Sequence, residues 1–122
     1  MKFVRETPTA ITIRHVERGR IVIGDEAVTE NVILHRDRIE RGWLPTAGND
    51  LSVDDISSII KLQPEIIVYG TGWEPVLPAR ELTFQLARQG IGFEVMDTPA
   101  ACRTFNILIS EDRDVAAILR LI

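Results

Sequence analysis

A change of hydrophobic period near residue 51 constrains this chain more than any other feature. Before it, apolar and polar residues alternate: Ile11, Ile13 and His15 share a face, Arg18-Gly19 reads as a turn, and Ile21-Val22-Ile23-Gly24 reads as the returning strand. Ala27 to Leu34 continues in the same character, with Val28, Val32, Ile33 and Leu34 supplying a buried face. The front half is therefore expected to be an antiparallel meander. Arg36-Asp37-Arg38-Ile39-Glu40-Arg41 mixes both signs of charge and reads as a solvated edge or loop, and Trp43-Leu44-Pro45 followed by Thr46 to Asp50 reads as a loop with Trp43 closing a core edge.

After residue 51 the pattern alternates between helices and short apolar runs. Ser52 and Asp55 form a helix-start signal, and Val53, Ile56, Ile59, Ile60 and Leu62 recur at helical spacing until Pro64, predicting a helix over residues 53–62. Glu65 to Gly70 is a continuous apolar run of the kind found in strands covered on both faces. A helix opened by Pro78 and stopped by Gly90 follows, then a strand over 91–96 in which Glu94 sits among apolar neighbours and is expected to be central. A third helix spans Thr98 to about Ser110, and Val115 to Leu121 forms a closing strand. Helices between strands imply parallel pairing. The expected architecture is α/β: a layered single domain over residues 1–122, with a mixed, partly parallel central sheet, an N-terminal antiparallel β-meander and three helices.

Composition narrows the function classes. A chain of 122 residues with 45% hydrophobic side chains builds one core of ordinary size. A net charge of -4 offers no concentrated basic face, so no nucleic acid partner is expected. The charged start Met1-Lys2-Phe3-Val4-Arg5-Glu6 and the lack of a long apolar run predict no signal segment and no direct membrane insertion, hence a cytoplasmic protein. Cys102 is the only cysteine, so neither an internal disulfide nor a thiolate metal centre is expected, and His15 and His35 are too few for a histidine metal site. No cofactor is implied.

In parallel sheets, ligands gather beyond the carboxyl ends of the strands, which would gather Gly70-Thr71-Gly72 and Asp97-Thr98-Pro99 on one rim if their two strands are neighbours. Gly70-Thr71-Gly72 starts like a dinucleotide fingerprint, but Pro75 occupies the third glycine's place and the helix begins late. A tight strand exit is the better reading, and a small anion is the ligand such amides suit. Thr98 is expected to cap the third helix, with Pro99 at its first position. Cys102 near that helix start, beside Arg103, is either a thiolate primed by the helix dipole or a small buried residue. Glu94 either pairs with a cation such as Arg103 or faces a wet groove, and Asp97 serves either as a base or as a turn anchor. Neither histidine makes a credible base for Cys102, so no catalytic residue is assigned. The ligand-binding candidates are Gly70, Thr71, Gly72, Glu94, Asp97, Thr98, Cys102 and Arg103, and Trp73 is the candidate partner surface.

Tyr69-Gly70-Thr71-Gly72, then Gly90 to Thr98, then Ala101-Cys102-Arg103-Thr104-Phe105-Asn106-Ile107-Leu108 together resemble a small family. It includes the mitochondrial complex I assembly factor three and the adipogenesis-associated domain protein, and many bacterial members are called domains of unknown function. The resemblance implies an α/β fold with an added antiparallel layer and a cleft near the two motifs, but no shared catalytic activity. Phe105 stands where many relatives are expected to carry tyrosine, which removes a hydroxyl. What the resemblance implies is a non-enzymatic bacterial binding or assembly protein, whose partners are respiratory complex subunits or assembly proteins. The alternative is a small-molecule or anion-binding protein, or an enzyme, using the cleft between Gly70-Thr71-Gly72 and the Thr98 helix start.

Overall fold

The computed structural model describes residues 11–43 and 51–121. The expected loop over 44–50 and the charged amino-terminal start lie outside these residues. β1 (Ile13–Glu17), β2 (Arg20–Ile23) and β3 (Glu26–Val28) form a three-stranded antiparallel sheet. The second sheet has five strands in the order β5-β4-β8-β6-β7. Its members are β4 (Val32–His35), β5 (Arg38–Arg41), β6 (Ile66–Gly70), β7 (Gly92–Met96) and β8 (Val115–Leu119). β6 pairs in parallel with β7 and β8, whereas β4 runs antiparallel to both β5 and β8. The mixed sheet, the added meander and the three helices α1 (Ser57–Ile60), α2 (Arg80–Arg88) and α3 (Thr98–Ser110) agree with the architecture read from the sequence.

Three boundaries differ from that reading, and the charged patch, expected as a solvated edge or loop, is an edge. The apolar stretch from Ala27 to Leu34 is two strands in two sheets, because the chain crosses between layers at Asn31. Asn31 holds the corner: its carbonyl accepts the Gly42 N–H at 2.8 Å and its Oδ1 accepts the Leu121 N–H at 2.8 Å. The charged patch contains a genuine edge strand, β5, whose charges keep that edge solvated. The helix expected over 53–62 is a 3-10 turn over Val53–Ile56 followed by a single α-turn, although Asp55 Oδ2 does accept the Ser52 N–H at 2.9 Å as the start signal implied. The next helix begins at Arg80, not at Pro78.

Strand position brings the largest correction. β8, the closing strand in sequence, runs through the middle of the sheet between β4 and β6, and all five of its residues are buried. β7, expected to be central, is an edge strand.

Two apolar cores fill the faces of the five-stranded sheet. On one face, Ala101, Cys102 and Phe105 of α3 pack with Ile13, Ile21, Ile23 and Val28 of the meander against Val32, Val68, Ala117 and Leu119. On the other, Ile56, Ile59 and Ile60, together with Leu82 and Leu86 of α2, pack against Ile33, Ile67, Tyr69 and Ile118, with Trp43 at the margin. Alternation along β8 sends Ala117 and Leu119 to the first core and Ala116 and Ile118 to the second.

Candidate functional site

The rim expected from the sequence forms, because β6 and β7 are parallel neighbours. Gly70 is there for contact with α3: a Cβ on it would lie 2.9 Å from Thr98 Cα and 3.0 Å from the Ala101 Cβ. Gly72 takes φ +106°, a conformation side chains resist, to turn the chain away.

The helix start is closed by its own chain. Asp97, not Thr98, is the N-cap, and its Oδ1 accepts the Ala100 N–H at 2.9 Å. Thr98 is the first helical residue and fully buried. Its N–H donates to the Gly72 carbonyl at 2.7 Å and its hydroxyl to the Arg120 carbonyl at 2.8 Å, while the same oxygen accepts the Gly72 N–H at 2.9 Å. The Ala101 N–H reaches the Asp97 carbonyl at 2.9 Å, and Pro99 has no N–H. Every amide of the first turn therefore already has a protein acceptor. Thr71 is also engaged, its N–H donating to the Met96 carbonyl at 2.9 Å and its hydroxyl to the Glu74 carbonyl at 2.8 Å. Thr98 thus stitches together the ends of β6, β8 and α3.

The remaining candidates separate. Cys102 is 3% exposed in the core beneath the meander, and burial pushes its thiol up to about 12 against a small opposing pull from the Arg103 charge. That is the opposite of an activated thiolate. Arg103, one position on, points outward and is exposed. Glu94 is exposed on the edge strand, so it needs no buried counter-charge. Trp73 is half-buried against the meander core, with Arg18 Cζ 5.6 Å from its ring centroid. His15 bonds Glu17 at 2.8 Å, and the buried His35 bonds Asp114 at 2.7 Å. Among the described residues no cluster of three or more metal-ligating side chains occurs.

Two polar features go beyond the sequence reading. Asn106 clamps α3 to β1: its Oδ1 accepts the Ile13 N–H at 2.9 Å and its Nδ2 donates to the Ile13 carbonyl at 2.8 Å. Arg120, just after β8, is buried on the α1–α2 face, where its Nε donates to Tyr69 Oη at 2.7 Å. The signal for Arg120 was its lone charge at the end of an apolar run, in register with Ala116 and Ile118.

A three-stranded antiparallel layer on a mixed five-stranded sheet is a fold shared with solved bacterial proteins. A Bordetella pertussis structure described as an Mth938-like domain superposes with a TM-score of 0.71 at 24% identity, covering 99% of this chain and 92% of that one. An NMR structure from Xanthomonas campestris gives a TM-score of 0.83 at 28% identity, covering 99% of this chain and 92% of that one. The crystal structure of an outer membrane protein from Bartonella henselae gives 0.80 at 32% identity, covering 93% and 97%.

The chain belongs to the family described as "Protein of unknown function (DUF498/DUF598)", which matches residues 13–120. Among named relatives, NADH dehydrogenase [ubiquinone] 1 alpha subcomplex assembly factor 3 of Danio rerio is 39% identical over 103 residues, covering 83% of this chain and 55% of that protein. The Homo sapiens protein of the same name is 31% identical over 118 residues, covering 94% and 63%. A "13 kDa major membrane protein" of Francisella tularensis subsp. holarctica (strain LVS) is 39% identical over 75 residues, covering 55% and 61%. The chain thus spans less than two thirds of the length of these relatives. No helix among its described residues is long and apolar enough to cross a membrane.

Proposed function

We propose that this chain is a non-enzymatic binding protein of the bacterial cytoplasm that assists assembly of respiratory complex I through contacts with its subunits or with other assembly proteins. The observation that carries this reading is that relatives covering 83% and 94% of this chain bear the name complex I assembly factor. The shared part is the two-sheet fold itself, so the contact surface belongs on that fold. A buried thiol and a helix start occupied by protein acceptors support binding over catalysis.

The partner surface we favour is Trp73, with Leu77 and Phe84 as further candidate contacts. Leu77 is 90% exposed and Phe84 on α2 is 54% exposed, large apolar side chains whose exposure contributes nothing to folding. Both follow β6 in sequence. The test is deletion of the gene in its host, with complex I assembly followed on native gels and complementation by the wild type or by Leu77→Glu/Phe84→Glu. Loss of assembled complex, restored by the wild type but not by the folded double variant, is expected. Normal complex I in the deletion strain refutes the assembly role.

A further inference from the structure

The side chain of Arg120 carries a charge whose partners do not balance it. It is 7% exposed, among the five buried polar or charged residues named in the described core. A guanidinium keeps its charge inside proteins, and burying it without an anion is costly. Among the described residues, no carboxylate forms an ion pair with it. What surrounds it is aromatic: its Cζ lies 5.9 Å from the ring centroid of Trp43 and 5.9 Å from that of Tyr69. Those rings offset part of the cost by their negative faces, and Tyr69 Oη accepts one N–H.

Two donors remain. Arg120 Nη2 and Trp43 Nε1 are buried without any hydrogen-bond partner among the described residues. The only other orphaned buried side-chain atom there, His35 Nδ1, belongs to a different cluster beside Asp114. Both unmatched atoms of the Arg120 cluster are donors, so what is missing is an acceptor. The cluster also sits where a ligand belongs in such a sheet, at the carboxyl ends of the parallel strands β6 and β8, since Arg120 N–H donates to the Gly70 carbonyl at 3.1 Å.

We propose that Arg120, Trp43 and Tyr69 form a binding site for a carboxylate. One oxygen accepts from Arg120 Nη2 and the other from Trp43 Nε1, while the charge neutralises the guanidinium and the rings exclude water. A carboxylate fits better than phosphate because its single negative charge matches the single positive charge and its two oxygens match the two unpartnered nitrogens. The site lies on the opposite face of the strand ends from Thr98 and uses none of the residues of that rim. It stands whether or not the chain assists complex I assembly. Two sources share this chemistry, a free small carboxylic acid and an aspartate or glutamate side chain presented by a bound protein.

The test is a titration of the 15N-labelled protein, following the indole N–H resonance of Trp43, distinguished from that of Trp73 in Trp73→Phe. The probes are acetate and the capped dipeptide N-acetyl-glycyl-glutamate amide, with acetamide and chloride at matched ionic strength as controls. A saturable shift with acetate or the dipeptide, absent with both controls and lost in Arg120→Met, is expected. Tighter binding of the dipeptide assigns the carboxylate to a protein partner; binding of acetate alone assigns it to a free acid. Trp43→Phe keeps an aromatic face but removes one donor, and is expected to weaken binding about tenfold, read from the Arg120 Nε–H resonance. That second variant keeps the test decisive if Arg120→Met fails to fold. No saturable shift with either carboxylate, or an equal shift with acetamide or chloride, overturns the proposal and leaves the cluster a cation packed between rings.

Discussion

On the α3 face of the five-stranded sheet, the ends of β6 and β8 are tied together by donors and acceptors that match, whereas on the α1–α2 face the same strand ends hold, among the described residues, buried donors without an acceptor. Thr98 lies on the first side and Arg120 on the second, one residue's carbonyl bonded to the other's hydroxyl at 2.8 Å. A fully matched polar network fixes geometry, and an unmatched one leaves a demand for an acceptor. The comparison therefore separates architecture from recognition within a few ångströms, and it reverses the roles that residue types alone assign. The helix start with threonine, proline and cysteine is a joint. The arginine at the end of an apolar strand is the buried, unmet demand.

Substitutions at the joint carry the largest expected effects. Gly70→Val places atoms against the backbone of Thr98, since even a Cβ would approach its Cα to 2.9 Å, and neither β6 nor α3 can yield cheaply. A loss of about 3 kcal/mol in denaturant unfolding is expected. A change below about 0.5 kcal/mol shows the helix free to move, and the matched face is then not rigid. Thr98→Val keeps the shape but leaves the Gly72 N–H and the Arg120 carbonyl without their hydroxyl partner, costing about 2 kcal/mol.

Period and punctuation made most of this fold legible. The bounds of α3 were readable because proline and apolar spacing agree from Thr98 to Ser110, although the cap is Asp97 and not the expected Thr98. Strand order was not readable. Glu94 sits in a run whose local pattern is the same whether β7 is central or at an edge, and only the chain's return across β6 to place β8 decides it. The division of Ala27 to Leu34 was hidden for a related reason: both pieces are apolar, and the corner at Asn31 is stabilised by Leu121, 90 residues away. The candidate site was half legible. Neighbouring parallel strands did bring Gly70, Thr71 and Gly72 to Thr98. That the helix amides were already satisfied depended on the carbonyl of Gly72 and the carboxylate of Asp97, whose placement no spacing rule supplies.

Smaller effects sharpen the same contrast. Asn106→Leu removes both bonds from α3 to Ile13 and is expected to cost about 1 kcal/mol, appearing first as faster amide exchange in β1 while β8 stays protected. Equal acceleration in β8 indicates that the meander and the main sheet unfold as one unit. Cys102 gives a pH signature on the matched face. Its folded-state value is raised from 9.0 to about 12, so its contribution to stability is complete below pH 9 and is lost as pH rises towards 12. Relative to Cys102→Ala, the wild type should lose stability across that interval, and its thiol should alkylate slowly in the folded state at pH 8. Rapid alkylation, or no difference in slope, argues that the thiol is open to solvent. The smallest effect belongs to the surface pair of Glu65 and Arg113, joined at 3.0 Å, where the guanidinium holds the carboxyl below its usual value. Its contribution fades as pH falls through the lowered carboxyl value and is damped by salt.

The contrast between matched and unmatched faces is tested most directly by unfolding Thr98→Val and Arg120→Met side by side, the latter in a Tyr69→Phe background so that the phenol is not left without its donor. Thr98→Val is expected to lose about 2 kcal/mol, because it unpairs groups that the fold has already satisfied. Arg120→Met is expected to match Tyr69→Phe or exceed it in stability, because it replaces a buried charge lacking an anion by an apolar side chain of similar length. A loss at Arg120 as large as that at Thr98 would contradict the account, since it would make the arginine a structural member of the core instead of a group held ready for a ligand.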